Sequence, residues 1–305
     1  MKLRVLIAAL IVAGGVMIAG IPAAHAQTCG NGFDYVDQDG LVVIEVESEP
    51  APNGWALRTD LSGFTGNGYY RWEGNNSFNN PGNGVITYKI QINTTGRYRF
   101  VWHNRIAFGN ESTEHNDAWL RFGDASNFYG EDPGGSQVFP RGNGRGENGE
   151  DLTPFPKGGN GDGYLKLYVN QGGLGQWSWD TSTNDEGAHQ IYVEFDTPGV
   201  YTMEISARSF GHAIDRAVLF ETGSVSVSDA LNLNNAETLC GVSNVSNGVD
   251  TDNSGTVTPA DAIFVINRVG ENVNIANNIF ADVNNDDVID ADDVTAVIQA
   301  IGTQP

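Results

Sequence analysis

The sequence predicts a mainly β protein: an antiparallel β-sandwich followed by a small α-helical module of two calcium loop–helix repeats. Three observations predict it. Residues 41–221 alternate apolar and polar side chains with period two. Residues 250–302 carry one acidic twelve-residue pattern twice, each copy running into an apolar helical stretch. The composition, with Gly 39 and aromatics at 10%, suits a turn-rich β protein better than a helical one.

Residues 1–26 read as a secretory signal peptide. Lys2 and Arg4 precede an apolar run from Val5 to Ile21, and Ala24-His25-Ala26 is a small-x-small cleavage signal. The mature chain is expected to begin near Gln27 and to work outside the cytoplasm, secreted or at the cell surface. No later segment is apolar enough to cross a bilayer, so no membrane insertion is expected. The formal net charge of -22 argues against nucleic acid and anionic membrane as partners, because both reward Lys and Arg. Cys29 and Cys240 bracket the large domain, and in an exported chain such a pair reads as one disulfide. Closing a loop of that length is worth roughly 5 kcal/mol in the chain-entropy picture.

The sandwich is expected over residues 27–222. In "GVITYKIQI", Ile86, Tyr88, Ile90 and Ile92 share one face and Thr87, Lys89 and Gln91 the other. "RYRFVWHN" puts Tyr98, Phe100 and Trp102 together, and "HQIYVEF" and "VYTMEIS" repeat the theme. "LVVIEVES", "DAWLRF", "YLKLYV" and "AIDRAVLF" are further strands. About eight alternating strands without helices between them form an antiparallel sandwich. Residues 130–163 are Gly- and Pro-rich without periodicity and are expected to be a mobile surface insertion. Residues 223–248, polar and rich in Ser and Asn, read as a linker.

The last domain, 249–305, is set apart by charge: residues 241–305 hold ten acids against the single Arg268. Numbered from Asp250, the residues Asp250, Asp252, Ser254, Thr256, Thr258 and Asp261 fall at positions 1, 3, 5, 7, 9 and 12, with Gly255 at 6. These are the ligand positions of an EF-hand loop, where position 7 lends a backbone oxygen and Gly permits the sharp turn. The pattern returns thirty-two residues later with Asp282, Asn284, Asp286, Val288, Asp290 and Asp293. Turn chemistry alone explains one such cluster, but calcium explains two with the same helix behind them. Position 12 is Asp in both loops, and no long amphipathic helix enters either.

A loop followed by one helix, duplicated and ending on Asp, resembles the type I dockerin repeat over about residues 250–302. The resemblance implies two calcium loop–helix units and a domain that docks onto cohesin partners. It places recognition on Pro259, Ala260, Ala291 and Asp292, which differ between the halves.

In the large domain, "VIEVESE", "GNGYYRW" and the closing "SFGHAIDRAVLF" resemble the galactose-binding-like (jelly-roll) β-sandwich modules that bind carbohydrate. The resemblance implies a second, structural calcium on Glu45, Glu47 and Asp215. Read from the residues alone, two acids on one strand face need either a cation or a base, with Arg71 and Arg216 the candidate bases. The family's sugar-touching Asn has Ala213 in its place, with His212 beside it. Sugars are held by flat aromatic faces and planar polar groups. The candidates are Trp177, Trp179, Trp72, Tyr70, Arg105, Asn116 and His212, with Trp55 and Tyr69 also available. Trp177 and Trp179 stand two apart beside Gly-rich turns, so both rings can face one way; core packing is the alternative for each.

Catalysis has little support. There is no HExxH, no G-x-S-x-G and no phosphate-cradling Gly-rich loop. Acids in "NESTEHND" and "WDTSTNDEG" are the candidates for a glycosidase pair, but surface acids are their ordinary explanation. The reading is an exported, non-catalytic polysaccharide-binding protein with a calcium-dependent docking module. The alternatives are a hydrolase or lyase with its site on the sandwich, and a structural surface protein.

Overall fold

The computed structural model describes residues 33–159, 161–240, 251, 257–271, 281, 283 and 288–301. The signal peptide, Cys29 and the loop positions Asp250, Asp252, Ser254, Thr256, Asp282, Asn284 and Asp286 lie outside them.

The alternating stretches form two facing sheets. One has five strands in the order β1 (Tyr35–Val36), β5 (Ile86–Ile92), β12 (Gly199–Ser206), β7 (Asp117–Arg121) and β10 (Leu165–Tyr168). The other has eight strands. Its path runs β3 (Trp55–Arg58), β4 (Tyr69–Trp72), β13 (His212–Glu221), β6 (Gly96–Ile106), β11 (Gln190–Phe195), β8 (Asn127–Glu131) and β9 (Gln137–Val138), and β2 (Leu41–Glu45) also pairs with β13. Pairing is antiparallel throughout except between β1 and β5. All eight strands read from periodicity are present, and β1, β3, β4, β8 and β9 are added to them.

The inward residues close one core. Ile86, Tyr88, Ile90 and Ile92 of β5 meet Tyr98, Phe100 and Trp102 of β6, as the period-two pattern requires. One irregularity bears on function. The register of β13 against β6 slips between Ile214 and Arg216, so Asp215 is an extra residue in the strand. Such a bulge re-aims a side chain.

Two sequence expectations need correction. Residues 223–240 are not a linker. α1 (Val227–Ala230) is capped by Ser226, and Ala230, Val225 and Leu231 cover Val43, Val101, Val218 and Phe220 on the outer face of the eight-stranded sheet. The chain then runs beside β2, where the Thr238 N–H donates to the Val43 carbonyl at 2.9 Å and the Cys240 N–H to Asp34 at 2.7 Å. The polar composition is real, but a few well-placed apolar side chains suffice to seat the segment. Residues 130–163 are likewise organised. The Phe139 N–H donates to Pro154 O at 2.8 Å. Asp151 accepts from the N–H groups of Gly142 and Gly144 at 2.8 and 2.9 Å, and Arg145 donates to the carbonyls of Phe122 and Ala125. Its glycines make turns whose hydrogen bonds come from side chains, which leaves no periodic signal.

The C-terminal module packs α2 (Pro259–Ile266) against α3 (Ala291–Ala300). Its core pairs repeat-equivalent residues, Val257 with Ile289 and Val265 with Val297, all buried. None of the described helices is long and apolar enough to cross a membrane.

Candidate functional site

The bulge turns Asp215 onto the outer face of the eight-stranded sheet, opposite His103 of β6. Asp215 is fully buried; its Oδ2 lies 2.7 Å from His103 Nδ1, and its Oδ1 accepts from the Thr65 N–H at 2.9 Å. The Thr65 hydroxyl lies between Asp215 and Glu45, at 3.2 and 2.8 Å. Glu45 in turn pairs with the Arg216 guanidinium. Of the two readings open for the acids, Glu45 thus has its base, and that base is Arg216, not Arg71, which pairs with Glu73 and Asp60.

Glu47 is different. Its Oε1 accepts from the Asn67 and Gly68 N–H groups at 2.7 and 3.2 Å, while its Oε2 is buried without a partner. Burial pushes its carboxyl up to about 8; the nearby charges of Glu45 and Asp215 add to this, and backbone N–H groups oppose it. Position 66 favours glycine: its φ is +61°, and a Cβ there would stand 2.4 Å from Glu47 Oε1, so Glu47 would have to shift. Glu45, Glu47 and Asp215 therefore surround one loop and leave one orphaned oxygen, which suits a hard cation. No group of three or more acids, His or Cys among the described residues is arranged as a finished metal cage, and Glu45 is already paired with Arg216.

Over this charged floor lies a row of rings. Trp177 stacks on His103 with centroids 5.3 Å apart at 25°, and Trp179 meets the same imidazole at 4.8 Å. Tyr69 stands edge-on to Trp177 at 5.0 Å, and Phe64 follows at 5.8 Å. Trp177 is half-buried and held by an Nε1–H bond to the Ser62 carbonyl at 3.1 Å. Trp179 also caps the apolar patch under α1. The expected pairing of the two tryptophans is therefore made through His103, which the sequence reading overlooked.

The other sugar candidates separate from this row. Trp72, 3% exposed, and Tyr70, 8% exposed, face the core with Trp55 and are corrected to packing residues. Asn116 is buried and spends its amide on the Val169 carbonyl at 2.9 Å. His212 is fully buried beneath Trp102. The Asn104 amide nitrogen donates to the carbonyls of Trp102, Ser178 and Asp180. Its Oδ1 must therefore accept from His212 Nε2–H at 3.0 Å, leaving His212 Nδ1 bare and unpartnered. Arg105 remains half-exposed on the outer face, its Nε buried without a partner.

Sequence reasoning also missed a cluster at the loop end of the sandwich. Phe108, 53% exposed, meets His115 at 4.9 Å and Phe210 at 5.0 Å, and Phe78 nearby is 41% exposed. These rings come from loops without periodicity, so only their exposure marks them.

In the C-terminal module the described loop positions are Thr258 and Asp261 of the first loop and Val288, Asp290 and Asp293 of the second. Both position-12 aspartates are fully buried. Asp261 accepts from the Thr258 N–H at 2.7 Å, and Asp293 from the N–H groups of Asp290 and Val283 at 2.8 and 2.7 Å. Each also closes a capping box at the start of its helix. A carboxylate so enclosed needs compensation, which these N–H donors supply in part. No cysteine is free among the described residues.

Solved structures similar to parts of this chain include three of low identity. The GH26-CBM35 β-(1,4)-mannanase of Podospora anserina is 16% identical over 77% of this chain, with a TM-score of 0.30, and the chain spans only 36% of that enzyme. A CBM35 module, Xyl-CBM35, solved with a glucuronic acid containing disaccharide, is 14% identical over 59% of this chain and 94% of its own, with a TM-score of 0.32. The CBM35 module of Paenibacillus barcinonensis is 17% identical over 59% of this chain and 99% of its own, with a TM-score of 0.31. No curated protein matches the chain. The family comparison is specific to the C-terminal repeat: residues 248–302 match the model of the Dockerin type I domain.

Proposed function

We propose that this chain is an exported, non-catalytic polysaccharide-binding protein that assembles with a cohesin-like partner through a calcium-dependent dockerin domain. The observation that carries the sugar-binding reading is the pair of half-buried rings Trp177 and Trp179 on the outer face of the eight-stranded sheet, backed by the buried Tyr69 and by the buried His103, which a hydrogen bond ties to Asp215. Trp177 and Trp179, with the half-exposed Arg105 on the same face, offer C–H stacking and planar hydrogen bonding together. A second platform, Phe108 with Phe210, is favoured by its greater exposure.

Calcium in the C-terminal module would be held by Asp250, Asp252, Ser254, Thr256 through its carbonyl, and Asp261 in the first loop. Asp282, Asn284, Asp286, Val288 through its carbonyl, and Asp293 would hold it in the second. It would neutralise the loops and join them to the helices. A further calcium on Glu47, Glu45 and Asp215 would make three per chain. Docking falls to the exposed apolar pairs Ile266 with Ile298 and Val269 with Ile301, each related by the repeat, beside the exposed Pro259, Ala260, Ala291 and Asp292. Cys29 and Cys240 form the disulfide of the exported chain.

The test is retention of the full chain on insoluble glycans, with soluble reducing ends assayed in parallel. Retention without release supports the proposal. Release of oligosaccharides identifies a hydrolase or lyase, and neither retention nor release leaves the structural surface reading.

A further inference from the structure

The five-stranded sheet carries a groove that the ring row does not touch. A cavity of about 630 Å³ opens over β12 and β7, floored by Arg121, Glu204 and Tyr164 and walled on one side by Pro81 and Gly82. A second hollow of about 210 Å³ continues it past Arg121 toward Asn143 and Arg145. The two share Arg121, Gly142 and Asp162, so they form one cleft whose far wall is built by Pro140, Gly142, Asn143, Asp162 and Gly163.

The floor sets one base beside one acid. Arg121 Nε donates to Glu204 Oε2, and Arg121 Nη1 donates to the Asp162 carbonyl at 3.1 Å. The guanidinium lies over the Tyr164 ring at 4.6 Å, and the Tyr164 hydroxyl donates to the same Glu204 Oε2 at 3.3 Å. These contacts hold both planar groups still. Among the described residues they leave Arg121 Nη2 and Glu204 Oε1 without a protein partner. Arg121 is 33% and Glu204 18% exposed at the side chain. One donor and one acceptor thus stand side by side with no net charge between them. Two adjacent hydroxyls of a pyranose, one accepting and one donating, complete that pair, whereas an anion meets Glu204 and a cation meets Arg121. On the rims, Gly82 has open space where a Cβ would stand, and the Gly82, Gly142 and Gly163 N–H groups are held by Ser206 Oγ, Asp151 and the Arg141 carbonyl, so these amides report on the cleft without donating into it.

We propose that this cleft is a second glycan subsite, on the sheet opposite the ring row, that holds a neutral polysaccharide by a vicinal diol between Arg121 and Glu204. It rests on the polysaccharide-binding reading but not on the ring row as the place of binding. Two sites on opposite faces let one domain grip two chains, so that weak contacts add by avidity.

The test is amide chemical-shift mapping on the full chain in calcium, with xylohexaose, cellohexaose and mannohexaose as probes. The expected result is movement of the Gly82, Gly142 and Gly163 amides with at least one probe, weakened at least tenfold in affinity by Glu204→Gln. That variant keeps an acceptor for Arg121 Nε but replaces the free carboxylate oxygen by an amide donor. Movement at these glycines without movement of the Trp177 indole supports the cleft and overturns the ring row. Glycine amides that stay still with all three probes overturn the cleft, whatever Trp177 does, and the wild-type measurement needs no variant to fold.

Discussion

At the scale of single residues, two histidines on neighbouring strands have opposite fates. His103 reaches Asp215 through the bulge and carries two tryptophan rings, while His212 is sealed under Trp102. Burial pushes the His212 imidazole down from 6.5 to about 4, with Asp117 pulling slightly the other way. The unfolded chain therefore binds this proton first as pH falls. Stability from this group is full above about 6.5, declines through the window and reaches its floor near 4, a loss of roughly 3 kcal/mol. His212→Gln, which can still donate to Asn104, should flatten the acid limb of the melting temperature between those values. Parallel limbs for the two proteins would contradict the assignment. Nothing in the sequence distinguishes the two histidines. Nor does it distinguish Tyr69, which supports Trp177, from Tyr70 and Trp72, which fill the core. The alternation in "GNGYYRW" is visible, but aromatics occupy both faces, so the period cannot say which one is inside.

At the scale of elements, the acidic repeat was legible because chemistry and period agree over thirty-two residues. The structure adds the reason position 12 is acidic in both copies: Asp261 and Asp293 are buried, cap their own helices and reach back to loop N–H groups. Asp293→Ala should cost the module roughly 1–3 kcal/mol through those lost bonds, read as a lower midpoint in urea with calcium present. An unchanged midpoint would show that the carboxylate is dispensable. Asp250→Ala with Asp282→Ala should abolish calcium-dependent helical ellipticity in a 241–305 fragment, because metal binding there is folding. Helicity that survives excess chelator would refute that coupling. The insertion and the segment 223–240 were not legible for a common reason. Their order comes from side chain-to-backbone hydrogen bonds and scattered apolar contacts, which have no period to detect.

At the scale of the whole molecule, the strand alternation was enough to give a sandwich, since two half-apolar faces have few ways to be buried besides against each other. Which surface meets ligand was not, because that depends on a bulge, on loops folding over a sheet and on which rings are left open. Calcium stoichiometry measures how the domains divide the metal: three ions per chain by native mass spectrometry place one on Glu47, falling to two in Glu47→Gln, and two in the wild type confine calcium to the repeat. The most direct test of polysaccharide binding through the ring row is affinity electrophoresis of Trp177→Ala in the best-retained glycan, beside its thermal melt. A platform ring contributes about 1 kcal/mol or more of contact to a weak ligand but little to the core, so retardation should be lost while the melting temperature moves by no more than a few degrees. Undiminished retardation, or a loss of roughly 3 kcal/mol or more of stability as for a buried aromatic, would contradict it.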